Sequence, residues 1–427
     1  MRTPFLMGSS PDKSALDEHS PRVTHLLDVA RKMFVAAGYD AVSLDSVARA
    51  AGVSKETIYR HFDNKEALFR AAARGLRMAF SDRAEHIRAE SGPPELVLAR
   101  FARAIHDSAI EGGYLSALWL TIAVAHALPE LAGDLRDDAI QRLEPLRATL
   151  ERIARERDVG ATVPPVLAAD FGSLAAEGPR HLMGWPAPTE DERARLALQV
   201  ATFYLHGGLA VPDGPGASSA SAEVAPPDLE RPPHIAELMR TAYQHFLSKG
   251  FEGASLDEIG AEARVGRGTL YRHFGSKAGI FEAVVLERAR VIAALAPRKI
   301  ADCGDWRSAL RAYLCGASAV LTGKDSVALH RLVITEAKRA PELAQRVYMI
   351  LRGAWTDALA EWLVQPAHGK PPIADGHWHA DQLVTLATLG NRPFSTAHTV
   401  AADDRAAAVE RAIAVFTGGF LATLRAD

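Results

Sequence analysis

Residues 43–69 read SLDSVARAAGVSKETIYRHFDNKEALF, and residues 255–281 read SLDEIGAEARVGRGTLYRHFGSKAGIF. The two stretches align without a gap at an offset of 212 residues and share 12 of 27 positions. In the first, Leu44, Val47, Ala48 and Ala51 recur at i, i+3, i+4 and i+7, one apolar face of a short helix, with Ser43 placed to cap it. In the second, Ser255 and Glu258 stand three apart, the spacing of a capping box, which predicts the better-capped helix there. Gly52-Val53-Ser54 then interrupts the first helix, because glycine reaches positive φ at no steric cost and Ser54 can cap the next helix. Two helices joined by three residues make a helix-turn-helix. In its second helix Ile58 and Phe62 face inward, which leaves Lys55, Thr57, Tyr59, Arg60 and His61 to project as donors to phosphates and base edges.

Working outward, Leu26, Leu27, Ala30 and Phe34 build an amphipathic helix that ends at Gly38, and Ala242, Phe246 and Gly250 repeat it in the copy. A further helix begins near Asn64 with Lys65 in its first turn, matched by Lys277. A cation there opposes the helix dipole, so its presence in both copies points to a phosphate. The duplication extends further: Phe101 pairs with Tyr313, Pro129 with Pro341, Leu174-Ala175 with Leu386-Ala387, and Gly178 and Arg180 with Gly390 and Arg392. Two whole units are therefore fused. Residues 1–20 read as a disordered tail, and 212–233, with six prolines and no apolar periodicity, as a linker that reaches from one unit to the next. The copies differ at two turn positions, where Arg264 replaces Gly52 and Gly266 replaces Ser54.

The runs Ala51-Gly52-Val53-Ser54, Thr57-Ile58-Tyr59-Arg60-His61-Phe62 and Lys65-Glu66-Ala67-Leu68 resemble the TetR-type bacterial transcriptional repressors. Thr269-Leu270-Tyr271-Arg272-His273-Phe274 and Lys277 carry the same resemblance in the copy. It implies an all-α fold of two tandem modules, each a three-helix headpiece followed by a helical bundle for ligand binding and dimerisation. The expected headpieces are 21–80 and 234–292, and the expected bundles 81–211 and 293–427. It also implies duplex operator DNA as partner, held through Ser43, Ser54, Lys55, Thr57, Tyr59, Arg60, His61 and Lys65 in one headpiece. In the other the set is Ser255, Arg267, Thr269, Tyr271, Arg272, His273 and Lys277. Relatives pair through their last two helices, here roughly 164–176 with 191–210 and 380–389 with 402–424, so one chain would form a pseudo-dimer, with a homodimer of chains as the competing arrangement. A small apolar effector is the second expected partner. Its pocket is sought among Trp119, His126, Trp185, Phe203, Tyr204 and His206 in the first module and Tyr348, Trp355 and Trp362 in the second.

Composition agrees with a soluble protein: 48% apolar, 24% charged and a net charge of −3, which excludes wholesale coating of nucleic acid but not a local basic face. With two cysteines, Cys303 and Cys315, and no secretory signal, reduced thiols in the cytoplasm are expected. The uncharged run GGYLSALWLTIAVAHALP, 112–129, is read as a buried bundle helix and not a membrane span, because its counterpart 324–341 carries six charges. No nucleophile stands with a base, so no enzyme is expected, and no cofactor or metal. His377-Trp378-His379, with His368 and His398, reads as a solvated loop among glycines and prolines. The alternative function is a helical ligand-binding or interaction protein in which one or both headpieces no longer bind DNA.

Overall fold

The computed structural model describes residues 20–75, 78–110, 114–125, 128–159, 162–210, 232–366, 372–396 and 398–425, and every regular element among them is helical. The first half runs through α1 (Pro21–Ala41), α2 (Leu44–Ala51), α3 (Lys55–His61), α4 (Lys65–Gly75), α5 (Met78–Arg88) and α6 (Pro94–Ile110). It continues with α7 (Tyr114–Val124), α8 (Pro129–Gln141), α9 (Glu144–Glu156), α10 (Pro165–Ala175) and α11 (Glu190–His206). The second half comprises α12 (Pro233–Gly253), α13 (Leu256–Glu262), α14 (Arg267–Phe274), α15 (Lys277–Ala293), α16 (Trp306–Leu321), α17 (Lys324–Glu336), α18 (Pro341–Val364), α19 (Gly376–Ala387), α20 (Ala402–Gly418) and α21 (Phe420–Thr423). At the 212-residue offset α1–α3 recur as α12–α14, α6 and α7 as α16 and α17, and α10 and α11 as α19 and α20. Helices α8 and α9 together correspond to the unbroken α18. Pro145, two residues into α9, explains the interruption: it lacks an N–H for the helical ladder and its ring disfavours a helical residue before it. The copy has Asp357 at that place and α18 runs through.

The helices end where the sequence places their ends, with two exceptions. The backbone of α1 breaks at Gly38 (φ 80°) and that of α12 at Gly250 (φ 67°). The capping box, however, is in the first copy and not the second. Ser43 and Ser46 cap each other reciprocally, whereas Ser255 makes no side-chain cap. Glu258 is drawn away to Lys249 and lies near His245, so a charge partner outcompetes the backbone N–H. The second correction concerns His377-Trp378-His379, which belongs to α19 and not to a solvated loop. Trp378 and His379 are buried, and His379 uses Nδ1 on the Asp375 carbonyl (2.7 Å) and Nε2 on that of Gly208 (2.9 Å). Burial lowers its pKa, while the two carbonyls pull the other way by favouring the protonated ring. His368, residues 1–19 of the expected tail 1–20 and residues 212–231 of the expected linker 212–233 lie outside the described residues, and Ser20, read as tail, caps α1. Cys303 and Cys315 are free and exposed. Among the described residues no helix is long and apolar enough to cross a membrane; the uncharged run contributes α7, 11 residues long.

Two apolar cores form, and each draws side chains from both halves. One joins the two headpieces to α7, α17 and the start of α18; the other joins α6, α9–α11, α16 and α18–α21. Contacts across the seam are reciprocal. Gly178 faces Thr385 while Gly390 faces Ser173, which at the 212 offset is one contact made twice. A Cβ on Gly207 would come within 2.8 Å of the Phe416 carbonyl oxygen, and one on Gly419 within 2.2 Å of that of Leu205, so glycine lets α11 and α20 end against each other. Around them Tyr204 stacks on Phe420 and Phe203 meets Trp378 edge-on. One device has no second copy: Asp170, its side chain 3% exposed, accepts from Arg392 and Arg411, both at 2.9 Å, and its counterpart is Gln382.

Candidate nucleic-acid interface

Each headpiece presents the second helix of its helix-turn-helix on a short, well-packed support. Ile58 is fully buried and Phe62 nearly so, which fixes the rotation of α3 and turns Lys55, Tyr59 and Arg60 to solvent. Tyr59 is 50% exposed and Tyr271 47%, a cost in apolar exposure that an aromatic with a phenolic donor offsets only against a partner. Leu270 does for α14 what Ile58 does for α3, leaving Arg267, Tyr271, Arg272 and His273 exposed. The structure thus brings together on each headpiece the side chains the sequence singles out, with Thr57, His61, Lys65, Thr269 and Lys277 partly covered.

The two leading cations are held in the same way. Lys55 Nζ lies 2.9 Å from Asp45, and Arg267 Nε 2.8 Å from Asp257, equivalent pairs linking the two helices of each motif. The hydrogen bond to Asp45 raises the pKa of Lys55. Lys65 sits 4.3 Å from the Tyr39 ring centroid and Lys277 4.8 Å from that of Phe251, so a cation–π contact accounts for part of their place at a helix start, without a phosphate. Lys277 also donates to the Glu252 carbonyl at 2.9 Å.

The headpieces differ in how the reading helix is held. Gly52 turns at φ 65°, and Ser54 Oγ caps Thr57 N at 3.1 Å and meets Thr57 Oγ1 at 2.9 Å. In the copy Arg264 occupies the left-handed turn at φ 55°, which costs a side-chain-bearing residue about 1 kcal/mol, and Gly266 offers no cap. Gly268 stands where the first copy has Glu56, a weak helix former inside a helix of eight residues.

Behind the first headpiece, at the α8–α9 break, lies a cavity of about 110 Å³. Its wall is made by Ile105, Leu118, Thr121, Leu135, Ile140, Leu143 and Gly172 of the first half, with Arg136 and Arg142, and it is closed by Asn391, Arg392 and Ser395 of the second. None of the described residues sought as its lining is there. Trp119 packs in the seam and donates to the Ile334 carbonyl at 3.0 Å; Trp185 meets Tyr348 edge-on; Phe203 packs on Trp378 and His379. His206 pairs with Glu95 at 2.7 Å, Tyr204 donates to the Leu167 carbonyl at 2.6 Å, and Trp355 fills the second core; His126 lies outside the described residues. Trp119, Trp185 and Phe203 instead make contacts between the two halves. The signal for the cavity is Pro145, which breaks the helix, together with Gly172 across from Leu143. In the second half the corresponding space shrinks to about 20 Å³: Trp355 replaces Leu143, Val384 replaces Gly172, and Arg352, in place of Ile140, donates to Asp381 (2.8 Å) and Thr385.

Comparison with known proteins bears on both copies. The N-terminal pattern of the bacterial regulatory proteins, tetR family, matches residues 26–72 and again 238–284, and the C-terminal domain of AefR-like transcriptional repressors matches 308–420. The chain is 44% identical over 61 residues to the DNA-binding transcriptional repressor TetR of Mycobacteroides abscessus, covering 14% of this chain and 32% of that one. It is 28% identical over 140 residues to the HTH-type transcriptional repressor ComR of Escherichia coli, covering 33% and 66%. Against three relatives the chain spans only 22%, 32% and 21% of their length. Among solved structures, the fatty acid degradation regulator FadR of Bacillus halodurans is similar at 19% identity and a TM-score of 0.36, covering 45% of this chain and 98% of that one.

Proposed function

We propose that this chain, which belongs to the tetR family of bacterial regulatory proteins and carries two of its N-terminal modules in tandem, is a DNA-binding transcriptional repressor that works as a single-chain pseudo-dimer. The observation that carries this reading is the reciprocity of the seam. Contacts exchanged between equivalent residues, Gly178 with Thr385 and Gly390 with Ser173, are the signature of an isologous interface, made here within one polypeptide. With both partners on one chain, pairing within it outcompetes pairing between chains. The competing assembly is a homodimer of chains with four headpieces.

On DNA, Tyr59, His61, Lys65 and their counterparts Tyr271, His273 and Lys277 hold phosphates, with Ser43, Ser54, Arg60, Ser255 and Arg272 beside them. Lys55 and Thr57 read base edges in one half-site, and Arg267 and Thr269 in the other. A base edge must draw Lys55 from Asp45 and Arg267 from Asp257, so each contact is an exchange of partners and favours the base that returns a bidentate bond, guanine for Arg267. The half-sites lie about one helical turn or a simple multiple apart and differ in sequence.

Control comes from a small apolar molecule in the cavity behind the first headpiece, whose size is of the order that accepts a benzene-sized guest. Leu135 and Arg136 of its wall adjoin Asp134, which holds Arg70 of α4 at 3.0 Å. Expansion of the cavity therefore pulls on the helix that ends the headpiece. The coupling needed is on the order of 1 to 3 kcal/mol. Recovering the protein with its bound genomic DNA gives the operator, and a thermal-shift screen gives the ligand. Gly172→Val, which copies Val384 of the second half, removes ligand stabilisation and leaves operator affinity unchanged. A ligand that still stabilises Gly172→Val, or one that stabilises the unaltered chain without weakening operator binding, contradicts this control.

A further inference from the structure

In the first half, outside the headpiece and the cavity, His106 of α6 meets Glu177 and His181 of the turn after α10. One ligating atom from each lies within 4.8 Å of the others. His106 Nε2 is 3.2 Å from Glu177 Oε1, and His181 Nε2 is 3.9 Å from the same oxygen. The imidazoles are 3% and 4% exposed and the carboxylate 12%. His106 Nε2 and Glu177 Oε1 face only each other, in poor hydrogen-bond geometry, and His106 Nδ1 and His181 Nε2 are buried with no hydrogen-bond partner. Buried polar atoms left poorly paired are costly, and a common partner between the three side chains would relieve them.

We propose that His106, Glu177 and His181 bind a borderline divalent transition ion, Zn²⁺ in the first place. Two imidazoles and a carboxylate are donors this class of ion prefers over Mg²⁺ or Ca²⁺, which take oxygen. Ions held tetrahedrally at about 2.0 to 2.1 Å set neighbouring donor atoms about 3.3 Å apart. His106 and Glu177 already stand at that separation, and His181 has about 0.6 Å to close on Glu177 Oε1. A backbone hydrogen bond to Trp185 orients the His181 ring. Glu177 Oε1 is the carboxylate oxygen that both imidazoles face. Arg180 approaches the far oxygen, Oε2, at 3.5 Å and leaves Oε1 to the ion.

Three ligands leave a position for water or for a further donor. Gln382 of α19 borders the same small cleft as His106 and Glu177, and its Oε1 is buried without a partner. The turn that carries two of the ligands also docks on the second half, through Asn391 donating to the Gly178 carbonyl at 2.7 Å and Gln345 to that of Gly184 at 2.6 Å. An ion here pins α6 to the docking turn. The second half has Ser318, Leu389 and Pro393 at the equivalent places, so each chain holds one such site. Sequence reading, which expects no metal, passes over the trio because His106 lies far along the chain from the other two.

The test is titration of the chelator-treated full chain with Co²⁺, followed by competition. The result expected is one Co²⁺ per chain with the visible absorption of a low-coordinate nitrogen and oxygen site, displaced by Zn²⁺ and untouched by Mg²⁺. His106→Gln/His181→Gln loses both the band and the stoichiometric ion, while His377→Gln/His398→Gln keeps them. If the first variant fails to fold by circular dichroism, Glu177→Gln is measured in its place and must lose the band. No stoichiometric ion in the unaltered chain, or an ion that survives loss of these ligands, overturns the proposal.

Discussion

Between α2 and α3 the first half turns on Gly52 and caps its reading helix with Ser54; the second half makes the same turn with Arg264 at φ 55° and leaves α14 uncapped at Gly266. In the bodies the balance is reversed. The first half breaks one helix into α8 and α9 and keeps a cavity, while the second runs α18 straight through and narrows the space with Trp355, Val384 and the Arg352–Asp381 pair. Each half has kept solid what the other has relaxed. A duplicated unit whose copies no longer need to be identical can place sensing in one and rigid support in the other, because the shared cores make either half's stability available to both.

The largest effect that separates the halves is expected at the seam. Asp170→Ala leaves two arginines without their buried acceptor and destabilises the chain by about 3 to 5 kcal/mol in denaturant unfolding. Gln382→Ala, at the equivalent place, costs under about 1 kcal/mol. Equal losses would mean that the lock is no more than local packing. Next comes acid. His330 is buried in the second half where the first has Leu118, and burial lowers its pKa to about 4. The unfolded chain binds this proton near pH 6.5 and the folded chain only near pH 4, so stability falls as pH drops between those values, by about 3 kcal/mol from this group. His330→Leu should remove that slope, and a slope unchanged in the variant would place the acid sensitivity elsewhere.

On DNA, Arg267→Ala should cost about 1 to 3 kcal/mol at the half-site of the second headpiece and relax its sequence preference, whereas Lys65→Ala should weaken all sequences evenly and lower the salt slope by about one. Competition binding on half-site variants distinguishes the two patterns, and a uniform loss from Arg267→Ala would remove it from base reading. The smallest effect is expected in α14. Gly268→Ala, with no atom within 4 Å of the new Cβ, should stabilise the second headpiece by about 0.5 to 1 kcal/mol. A destabilisation would show that the looser helix is needed as it is.

What the sequence makes legible here is what repeats. The apolar positions around Ile58 and Leu270, the breaks at Gly38 and Gly250 and the 212-residue register all come from local spacing, and the helices obey them. Caps and pockets are less legible because competition decides them. Glu258 has the spacing of a capping residue but finds Lys249, and the aromatic residues sought around a ligand are spent on the seam. Trp378 and His379 sit in a stretch rich in glycine and proline, yet Asp375 starts a helix there by accepting from Trp378 N at 3.1 Å. The seam contacts depend on residues from the other half of the chain, which no local window contains, whereas the Lys249 and Asp375 contacts lie within ten residues and turn on which of several nearby partners wins.

The central claim, that one chain supplies both halves of the DNA-binding unit, is tested most directly by light scattering on the free protein and on its complex with a single minimal operator. The mass expected is that of one chain when free, and one chain on an operator whose half-sites differ. Two chains per operator, or a minimal operator that is perfectly palindromic, would contradict it.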